Sequence, residues 1–372
     1  MSGKGSFNTL KRFRQQNRDY LFGYLGYDLK NELEDLHSEN LDPLKFPDLY
    51  FIQPEKLFLW KGDQLELLYL SEFAGDMERD LEDILRERPG HDGVPGTKPL
   101  IRPRMTREEY FARMQTILEH IHRGDIYEVN FCQEFYAGQC SIDPLAVYQK
   151  LNGISLAPFA CFFRAGEKYL ICSSPERFVR KEGNRIISQP IKGTAKRQAD
   201  PAEDARARDR LASDPKERTE NIMIVDLVRN DMSKRAMPGS VAVEELCGVY
   251  TFRQVHQLIS TVTSVVGDST DPVDLIRDLF PMGSMTGAPK ISAMKIIEEQ
   301  EETKRGLFSG AMGYFTPEGD FDLNVVIRSI QYNRDEAYLS ISAGSAVTAS
   351  SEIEKEYEEC LIKARALIQA LE

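Results

Sequence analysis

The sequence is poor in the residues and patterns that mark several common classes of protein. Its 372 residues include five histidines and one tryptophan, and the six cysteines form no close Cys-x-x-Cys pair. These spacings exclude the usual zinc-binding and thioredoxin-like redox motifs. We interpret the cysteines as free thiols, which are typical of a reducing compartment, and we therefore expect a cytoplasmic protein.

Long apolar runs and an excess of positive charge are missing as well. No apolar stretch approaches the length that a membrane-spanning helix needs. Lysine and arginine total 47 against 59 acidic residues, which gives a formal net charge of −12. This charge disfavours nucleic acids and anionic membrane surfaces as partners. An anionic substrate would have to be attracted locally, by a bound cation or by individual basic side chains.

Proline and glycine are concentrated in one stretch, from Arg88 to Pro99. Such a composition is typical of a linker. We predict a linker at residues 89–105, preceded by an N-terminal region at 1–88 that is too short for an independent domain and packs on the rest of the protein. Residues 106–372 then form the main domain, which is long enough to bury a large core.

Lys192 stands at the end of an apolar strand pattern, beside a glycine. Two shorter strand patterns, residues 177–180 and 184–188, precede it and are separated by a glycine-containing turn. If they pair as a hairpin, Glu176 lies opposite Ile191 or Lys192. A carboxyl group near an amine suits a reaction in which one attacks a carbon and the other protonates a leaving oxygen. The alternative is a surface ion pair that contributes roughly a few tenths of a kcal/mol.

Carboxylates cluster at two predicted helix starts. Glu217 and Glu220 follow an Asp-Pro pair and share one helix face, and Glu356 and Glu359 lie on another helix with Lys363. If the two acidic faces meet, they need a cation, and oxygen ligands without histidine indicate Mg²⁺. The alternative is two ordinary helix starts, where glutamate complements the helix dipole.

The glycine-rich segment 283–290 precedes another predicted helix. It lacks the adjoining Gly-Lys-Ser/Thr of a phosphate-binding loop, so nucleotide binding is not expected. The free backbone N–H groups at the helix start near Pro289 suit an anion. We predict that Thr286 contacts the substrate.

Four longer motifs occur in a fixed order along the chain. They are Ser174-Pro175-Glu176-Arg177-Phe178, Pro190-Ile191-Lys192-Gly193-Thr194, residues 220–231 and Thr286-Gly287-Ala288-Pro289-Lys290. In these motifs the chain resembles the chorismate-utilising enzymes, from about Arg107 to its end. The resemblance implies that residues 106–372 form a chorismate-binding catalytic domain. It also implies an α+β fold like that of anthranilate synthase component I, with two large, mostly antiparallel β-sheets packed together and flanked by helices.

Within this family the residue after Pro190-Ile191 distinguishes the reactions. Anthranilate synthases carry a small residue there, whereas aminodeoxychorismate synthases carry a lysine, as this chain does at Lys192. The resemblance implies that Lys192 attacks the chorismate ring and expels the ring hydroxyl, and that ammonia then adds at the 4-position and displaces the lysine. Glu176 matches the general acid or base. The attack needs a neutral amine, so we expect burial or a cationic neighbour to lower the pKa of Lys192.

The same resemblance assigns metal ligands. Glu220 and Glu359 match the Mg²⁺ ligands of the family, with Glu217 and Glu356 reaching the ion directly or through water. The metal is expected to fix a substrate carboxylate and to draw charge as the hydroxyl departs.

The resemblance also implies which residues contact the organic substrate. They are Arg328, Tyr314, Gly344, Thr286, Gln257 and Lys363. Arg328 suits a carboxylate, because a guanidinium group binds carboxylates through two parallel hydrogen bonds. Tyr314 and Gly344 match positions beside the pyruvyl group. Lys363 matches a position near the ring carboxylate.

Three positions depart from the family pattern. Gln257 occupies a slot that is usually histidine, and His256 cannot replace it because adjacent strand residues face opposite ways. We therefore expect Gln257 to position the substrate and Glu176 alone to transfer protons. Glu128 occupies the place of the lysine that activates water in isochorismate synthases, which argues against water as the nucleophile. Met282 replaces a common glycine.

Amination of chorismate at the 4-position, for folate and para-aminobenzoate synthesis, is the function that these residues favour. Two alternatives stay open: anthranilate synthase component I, and an inactive chorismate-binding or partner-binding subunit, which the departure at Gln257 suggests. The sequence contains no Cys-His-Glu hydrolase constellation that we recognise. We therefore expect a separate glutamine amidotransferase subunit to supply the ammonia.

Overall fold

The helices lie on the outside of the molecule. A computed structural model describes residues 5–87 and 98–372 of the chain. The α-helices in these residues are α1 Ser6–Gln16, α2 Lys30–Leu33, α3 Met77–Arg86, α4 Arg107–Arg123, α5 Pro144–Ser155, α6 Pro201–Ser213, α7 Pro215–Ser233, α8 Pro272–Leu279, α9 Lys290–Gln300 and α10 Ile353–Leu371. Helices α5 to α8 each begin at an Asp-Pro pair, whose aspartate accepts hydrogen bonds from the first free backbone N–H groups.

The strands form two large sheets and one hairpin. In chain order they are β1 Leu21–Leu25, β2 Leu49–Ile52, β3 Lys56–Lys61, β4 Gln64–Tyr69, β5 Arg102–Pro103, β6 Glu128–Ala137, β7 Phe159–Ala165, β8 Lys168–Ser174, β9 Arg177–Glu182, β10 Arg185–Gln189, β11 Ile191–Lys196, β12 Ala242–Thr251, β13 Val255–Val265, β14 Gly287–Ala288, β15 Ala311–Phe315, β16 Phe321–Val325, β17 Ser329–Asn333 and β18 Tyr338–Thr348.

The first sheet has the order β11-β13-β10-β9-β16-β15-β1-β2, with β12 also paired to β13. The second has the order β14-β6-β18-β17-β8-β7, with β5 paired to β6. Every pair of these strands is antiparallel. The predicted α+β architecture of two large antiparallel sheets flanked by helices is confirmed.

The sheets pack face to face over a shared apolar layer. Tyr24 of the first sheet meets Phe163 of the second edge to face, with the ring centroids 5.4 Å apart. Leu170, Cys172 and Val326 are buried in the same cluster. Each large side chain buried in this way contributes about 1.5–3 kcal/mol to folding. On their outer faces the first sheet packs on α1 and α8, and the second packs on α5 and α10.

The N-terminal region is continuous with the first sheet. Strand β1 lies between β15 and β2, and Gly23 pairs with Gly313. Most of the predicted linker, 89–105, lies outside the described residues, but β5 within it pairs with β6. The division into residues 1–88, 89–105 and 106–372 stays a prediction.

Two further features concern membranes and thiols. Among the described residues, no helix has the length and apolar character needed to cross a membrane. All six cysteines are free, as predicted. Most of them are buried, and burial raises the pKa of the Cys132 and Cys360 thiols to about 12.

Candidate active site

Lys192 lies on β11, immediately after a break in the hairpin that precedes it. The hairpin forms as predicted, with Arg185 opposite Glu182, but its register shifts before the last pair, Gln189 with Arg177. Strand β11 then leaves β9 and pairs with β13. The predicted cross-strand pairing of Glu176 with Ile191 or Lys192 is therefore wrong in detail, because Pro190 interrupts the ladder.

Glu176 nevertheless lies beside β11. Its carboxyl group faces the Ile191 N–H group, and its charge raises the pKa of Lys192. The side chain is buried, and burial raises its pKa to about 7, against the opposing effects of the Ser284 hydroxyl and Lys192. A carboxyl group with this pKa is partly protonated at neutral pH, so it can donate a proton to a leaving oxygen.

Lys192 is enclosed by carboxylates. Its Nζ lies 3.4 Å from Glu128 Oε1, and the two side chains are only 11% and 2% exposed. Burial lowers the pKa of Lys192, but Glu128, Glu220 and Glu176 together raise it further, so the net change is upward. The expected lowering of this pKa is not found in the ligand-free protein. Lys192 rests as an ammonium ion and has to give up a proton before it can attack.

Helix α7 begins as the sequence predicts. Asp214 Oδ1 accepts hydrogen bonds from the N–H groups of Lys216 and Glu217, at 2.9 and 3.1 Å. This cap directs Glu217 and Glu220 towards β11. A Cβ atom at Gly193, where φ is +91°, would lie 3.1 Å from Glu217 Oε2. Glycine is therefore suited to this position in both conformation and size.

The acidic faces of α7 and α10 meet in the structure. Lys216 Nζ lies between them, 3.7 Å from Glu220 Oε1 and 3.5 Å from Glu356 Oε1. Burial raises the pKa of Glu217, and the charge of Glu359 raises it further. Glu359 itself forms an ion pair with Lys363 at 2.6 Å. Partial burial acts to raise the pKa of Glu359, but Lys363, Lys192 and Lys216 together lower it.

This junction fits a hard cation by the chemistry of its donors. Glu220 Oε1 is buried and accepts no hydrogen bond, and burial raises the pKa of Glu220 to about 7. All four candidate ligands are carboxylates, which Mg²⁺ prefers. The described residues hold no set of three or more His, Cys, Asp or Glu side chains close enough together to bind a metal, and Lys216 provides the positive charge between α7 and α10. The assignment of Mg²⁺ ligands stays a prediction.

Three of the predicted substrate-binding residues lie together near the start of β17. Arg328 Nη1 donates to the Lys363 carbonyl at 3.5 Å, and Lys363 Nζ donates to the Gly344 carbonyl at 2.8 Å. Burial lowers the pKa of Arg328, and Glu359 partly offsets this. A Cβ atom at Gly344 would lie 2.1 Å from the Phe131 carbonyl oxygen, so only glycine fits there.

Two predicted residues have surroundings that differ from those expected. The Thr286 hydroxyl is fully buried and donates within its own loop, to the carbonyls of Met282 and Gly283. Tyr314 lies apart from the residues described above. Its ring packs on Phe22, 5.7 Å away, and it pairs across the strands with Asp322. The structure does not bring Tyr314 to Lys192 and Arg328, because β15 presents it beside β1.

Gln257 and His256 are neighbours on β13, but they have different contacts. His256 Nε2 lies 3.1 Å from Asp204 and its Nδ1 lies 2.9 Å from the Thr251 hydroxyl, so the ring is held by α6 and β12. Gln257 is buried opposite Thr194 of β11, and its Oε1 accepts no hydrogen bond. The predicted opposite orientation of these neighbours agrees with their contacts.

Sequence reasoning missed three residues that build the site. Glu128 forms the ion pair with Lys192, although its position was noted only as a departure from the family pattern. Asn221 donates to the carbonyls of Lys192 and Leu258, which joins α7 to β11 and β13. Lys216 was signalled only by its spacing of four residues from Glu220.

Comparison with known proteins places these residues in context. A family model described as chorismate binding enzyme matches residues 4–369. Anthranilate synthase component 1 of Thermus thermophilus is 35% identical over 359 residues, which cover 94% of this chain and 77% of that protein. Aminodeoxychorismate synthase component 1 of Klebsiella aerogenes is 42% identical over 271 residues, which cover 73% of this chain and 59% of that protein.

A solved structure shows the same fold. Anthranilate synthase component I from Streptococcus pneumoniae TIGR4 matches with a TM-score of 0.84 and 26% identity, over 94% of this chain and 80% of that one. The predicted anthranilate synthase component I-like fold is confirmed.

Proposed function

Because the chain belongs to the chorismate binding enzyme family, we propose that it is component I of an aminodeoxychorismate synthase, which converts chorismate and ammonia to 4-amino-4-deoxychorismate. The observation that supports this most directly is Lys192, whose side chain is only 11% exposed. It is near enough to the buried carboxyl group of Glu176, whose pKa is about 7, for each charge to shift the pKa of the other. The similarity of the chain to the Klebsiella aerogenes protein, which is named for this reaction, agrees with the proposal.

The proposed reaction begins with the lysine. Once deprotonated, Lys192 Nζ forms a bond to the chorismate ring, and the carbon–oxygen bond to the 4-hydroxyl breaks. Glu176 donates the proton with which the hydroxyl leaves as water. Ammonia then bonds to the 4-carbon and the lysine departs. The pyruvyl ether is retained throughout.

Binding of the substrate carboxylates falls to the cluster near β17. The buried guanidinium of Arg328 is suited to one carboxylate, and Lys363 to the ring carboxylate, with the backbone of Gly344 beside them. Gln257 has an unpartnered amide oxygen, so it can orient the substrate, but an amide cannot exchange a proton as an acid or base does. Proton transfer to the leaving group therefore rests on Glu176. Thr286 stays a proposed substrate contact, through the loop that holds it. Tyr314 stays a proposed contact as well, and this contact requires the substrate to reach β15.

Glu220 and Glu359 would hold Mg²⁺, with Glu217 and Glu356 as further ligands directly or through water. When bound, the ion would fix a substrate carboxylate and stabilise the negative charge that develops as the hydroxyl departs. Glu220 Oε1, which is buried and lacks a donor, supports this role. Lys216 would have to move aside from Glu220 and Glu356.

The nitrogen source completes the proposal. We assign it to a separate glutamine amidotransferase subunit in the cytoplasm, and the reaction to folate and para-aminobenzoate synthesis. Glutamine should support amination only when that subunit is added, whereas ammonium should support it for the chain alone. Glutamine-supported activity of the isolated chain would contradict the two-component arrangement.

Anthranilate synthase is the second candidate, because the Thermus thermophilus relative is 35% identical over nearly the whole chain. One experiment separates the candidates: purified chain with chorismate, Mg²⁺ and ammonium, with the products resolved by mass. The proposed function predicts a product that keeps the pyruvyl group. Anthranilate with free pyruvate would indicate the second candidate, and unchanged chorismate would indicate an inactive binding subunit.

A further inference from the structure

Glu128 is a buried carboxylate to which the reaction outlined above gives no role. It begins β6 and is 1% exposed. Its backbone is fixed between two strands, opposite Ala288 of β14 and Thr348 of β18. Burying a carboxylate is costly unless a positive charge compensates it. The residue that compensates it here is Lys192.

The two oxygens of Glu128 have different surroundings. Oε1 lies 3.4 Å from Lys192 Nζ, whereas Oε2 is buried and accepts no hydrogen bond. In the described part of the chain, Lys192 is thus the one cation that pairs with this carboxylate. Glu128 Oε1 is therefore the carboxylate oxygen placed to receive a proton from Lys192 Nζ.

Other charged groups face Lys192 as well. They are Glu176 before β9, Glu217 and Glu220 on α7, and Glu359 on α10. Of the described carboxylates, Glu128 alone lies within ion-pair distance of Nζ. Glu176 has to keep a proton for the leaving hydroxyl, and the carboxylates of α7 and α10 face a cation site. Glu128 is the carboxylate left free to accept a proton.

We infer that Glu128 is a catalytic residue that accepts the proton of Lys192, an inference that rests on the proposed function. The proton moves from Nζ to Glu128 Oε1, and the freed electron pair of Nζ forms the bond to the ring. The 4-hydroxyl leaves as water with the proton of Glu176. When ammonia bonds to the 4-carbon it gives one proton to Glu176, and the departing lysine recovers its own proton from Glu128. Both glutamates return to their starting states.

This internal transfer has a consequence for pH dependence. Because the proton stays within the pair, Lys192 does not have to lose it to solvent, and the rate of covalent attack should not rise with pH. Above a pH of about 7 the rate should fall, since Glu176 loses the proton that it donates. With glutamine at position 128, Lys192 would have to release its proton to water, so a rising limb should appear at low pH.

The test compares Glu128→Gln, Glu128→Asp and the exposed control Glu119→Gln on α4. Without ammonia, the rate of covalent addition of chorismate is followed by intact-protein mass at pH 6 to 9. We expect Glu128→Gln to be at least about tenfold slower than wild type at pH 6, with the difference shrinking as pH rises. Glu128→Asp should be slower but keep the wild-type profile, and Glu119→Gln should match wild type. Equal rates for Glu128→Gln and wild type at pH 6 would overturn the inference.

A second measurement needs no substrate. Cyanate carbamylates neutral amines, and peptide mapping gives the rate at Lys192. Because Glu128→Gln removes a charge that raises the pKa of Lys192, carbamylation at pH 8 should become faster. Unchanged carbamylation would show that Glu128 does not hold this proton. If wild type forms no adduct, the proposed function fails together with the catalytic role. If wild type forms it and Glu128→Gln has the same profile, Glu128 alone is excluded.

Discussion

Glu176 and Glu220 both have a pKa of about 7, and both owe it chiefly to burial, but their surroundings differ. The carboxyl group of Glu176 faces the Ile191 N–H group and the Ser284 hydroxyl, and both lower its pKa. Glu220 Oε1 is buried and accepts no hydrogen bond, and its neighbours are the charges of Lys192, Lys216 and Glu217. One carboxyl group faces neutral polar groups as well as charges, and the other lies among charges.

This difference assigns the two carboxylates different chemistry. A buried carboxyl group that is partly protonated at neutral pH is suited to proton transfer. A carboxylate that lies among other carboxylates, with one oxygen that accepts no hydrogen bond, is suited to a divalent cation. The charge of Lys192 lowers the pKa of both. The same pKa thus indicates two functions, and the neighbouring groups separate them.

The largest effect is expected from removing the residue that the two carboxylates share. Lys192→Ala should abolish 4-amination, because no other nucleophile faces the ring in the proposed reaction. Lys192→Arg keeps the positive charge without a nucleophilic amine and should also be inactive, which separates charge from covalent attack. Product mass analysis with ammonium measures both, and the exposed Lys150→Ala is the control. Undiminished 4-amination by Lys192→Ala would refute the covalent role.

The next largest effect is expected from removing Glu176, the proposed proton donor. Glu176→Gln should lower kcat by about 10²–10⁴-fold, because the leaving hydroxyl loses its acid, while KM changes little. In wild type, activity should fall as pH rises through about 7, where Glu176 loses its proton. Steady-state rates from pH 5 to 9 check this. Persistence of the same falling limb in Glu176→Gln would assign it to another group.

Substitutions of the proposed Mg²⁺ ligands should have a smaller effect, and the quantity that changes is the affinity for Mg²⁺. Glu220→Gln and Glu359→Gln should each weaken Mg²⁺ binding by about tenfold or more, since each removes one charged ligand. Glu358→Gln, next to Glu359 on the exposed side of α10, is the matched control. Titration calorimetry with Mg²⁺ gives the affinities. Equal affinities in all four proteins would reject this metal site.

The smallest effect is expected at Gln257, which has no hydrogen bond to Glu176 or Glu220. Gln257→Ala should raise KM with little change in kcat, at a cost of about 1 kcal/mol for one lost hydrogen bond. His256→Gln should leave the pH profile unchanged, because His256 is held by Asp204 and Thr251 away from Gln257. Steady-state kinetics separate the two parameters. A limb of the profile that disappears in His256→Gln would give His256 a role in proton transfer.

Local features of the site were predictable from sequence. The Asp214-Pro215 start of α7, the shared face of Glu217 and Glu220, and the turn before Arg185 follow from spacing and capping rules that act over a few residues. The opposite orientations of His256 and Gln257 follow from strand alternation. Such rules need no knowledge of the distant chain.

Contacts between distant segments were harder to predict. Glu128 and Lys192 are 64 positions apart and meet because β6 and β11, in different sheets, come together. No local rule fixes that distance, so the sequence suggested a lowered pKa for Lys192 where the structure gives a raised one. The surroundings of Tyr314 likewise depend on the pairing of β15 with β1, which no local rule fixes.

The most direct test of the account is the covalent bond to Lys192. Wild-type protein is mixed with chorismate and Mg²⁺ without any nitrogen source, and the intact mass is measured before and after ammonium is added. We predict an adduct with the mass of chorismate less one water, located on the peptide that contains Lys192, which disappears on addition of ammonium as 4-amino-4-deoxychorismate forms. Formation of that product without any adduct on Lys192, under conditions that trap intermediates, would contradict the account.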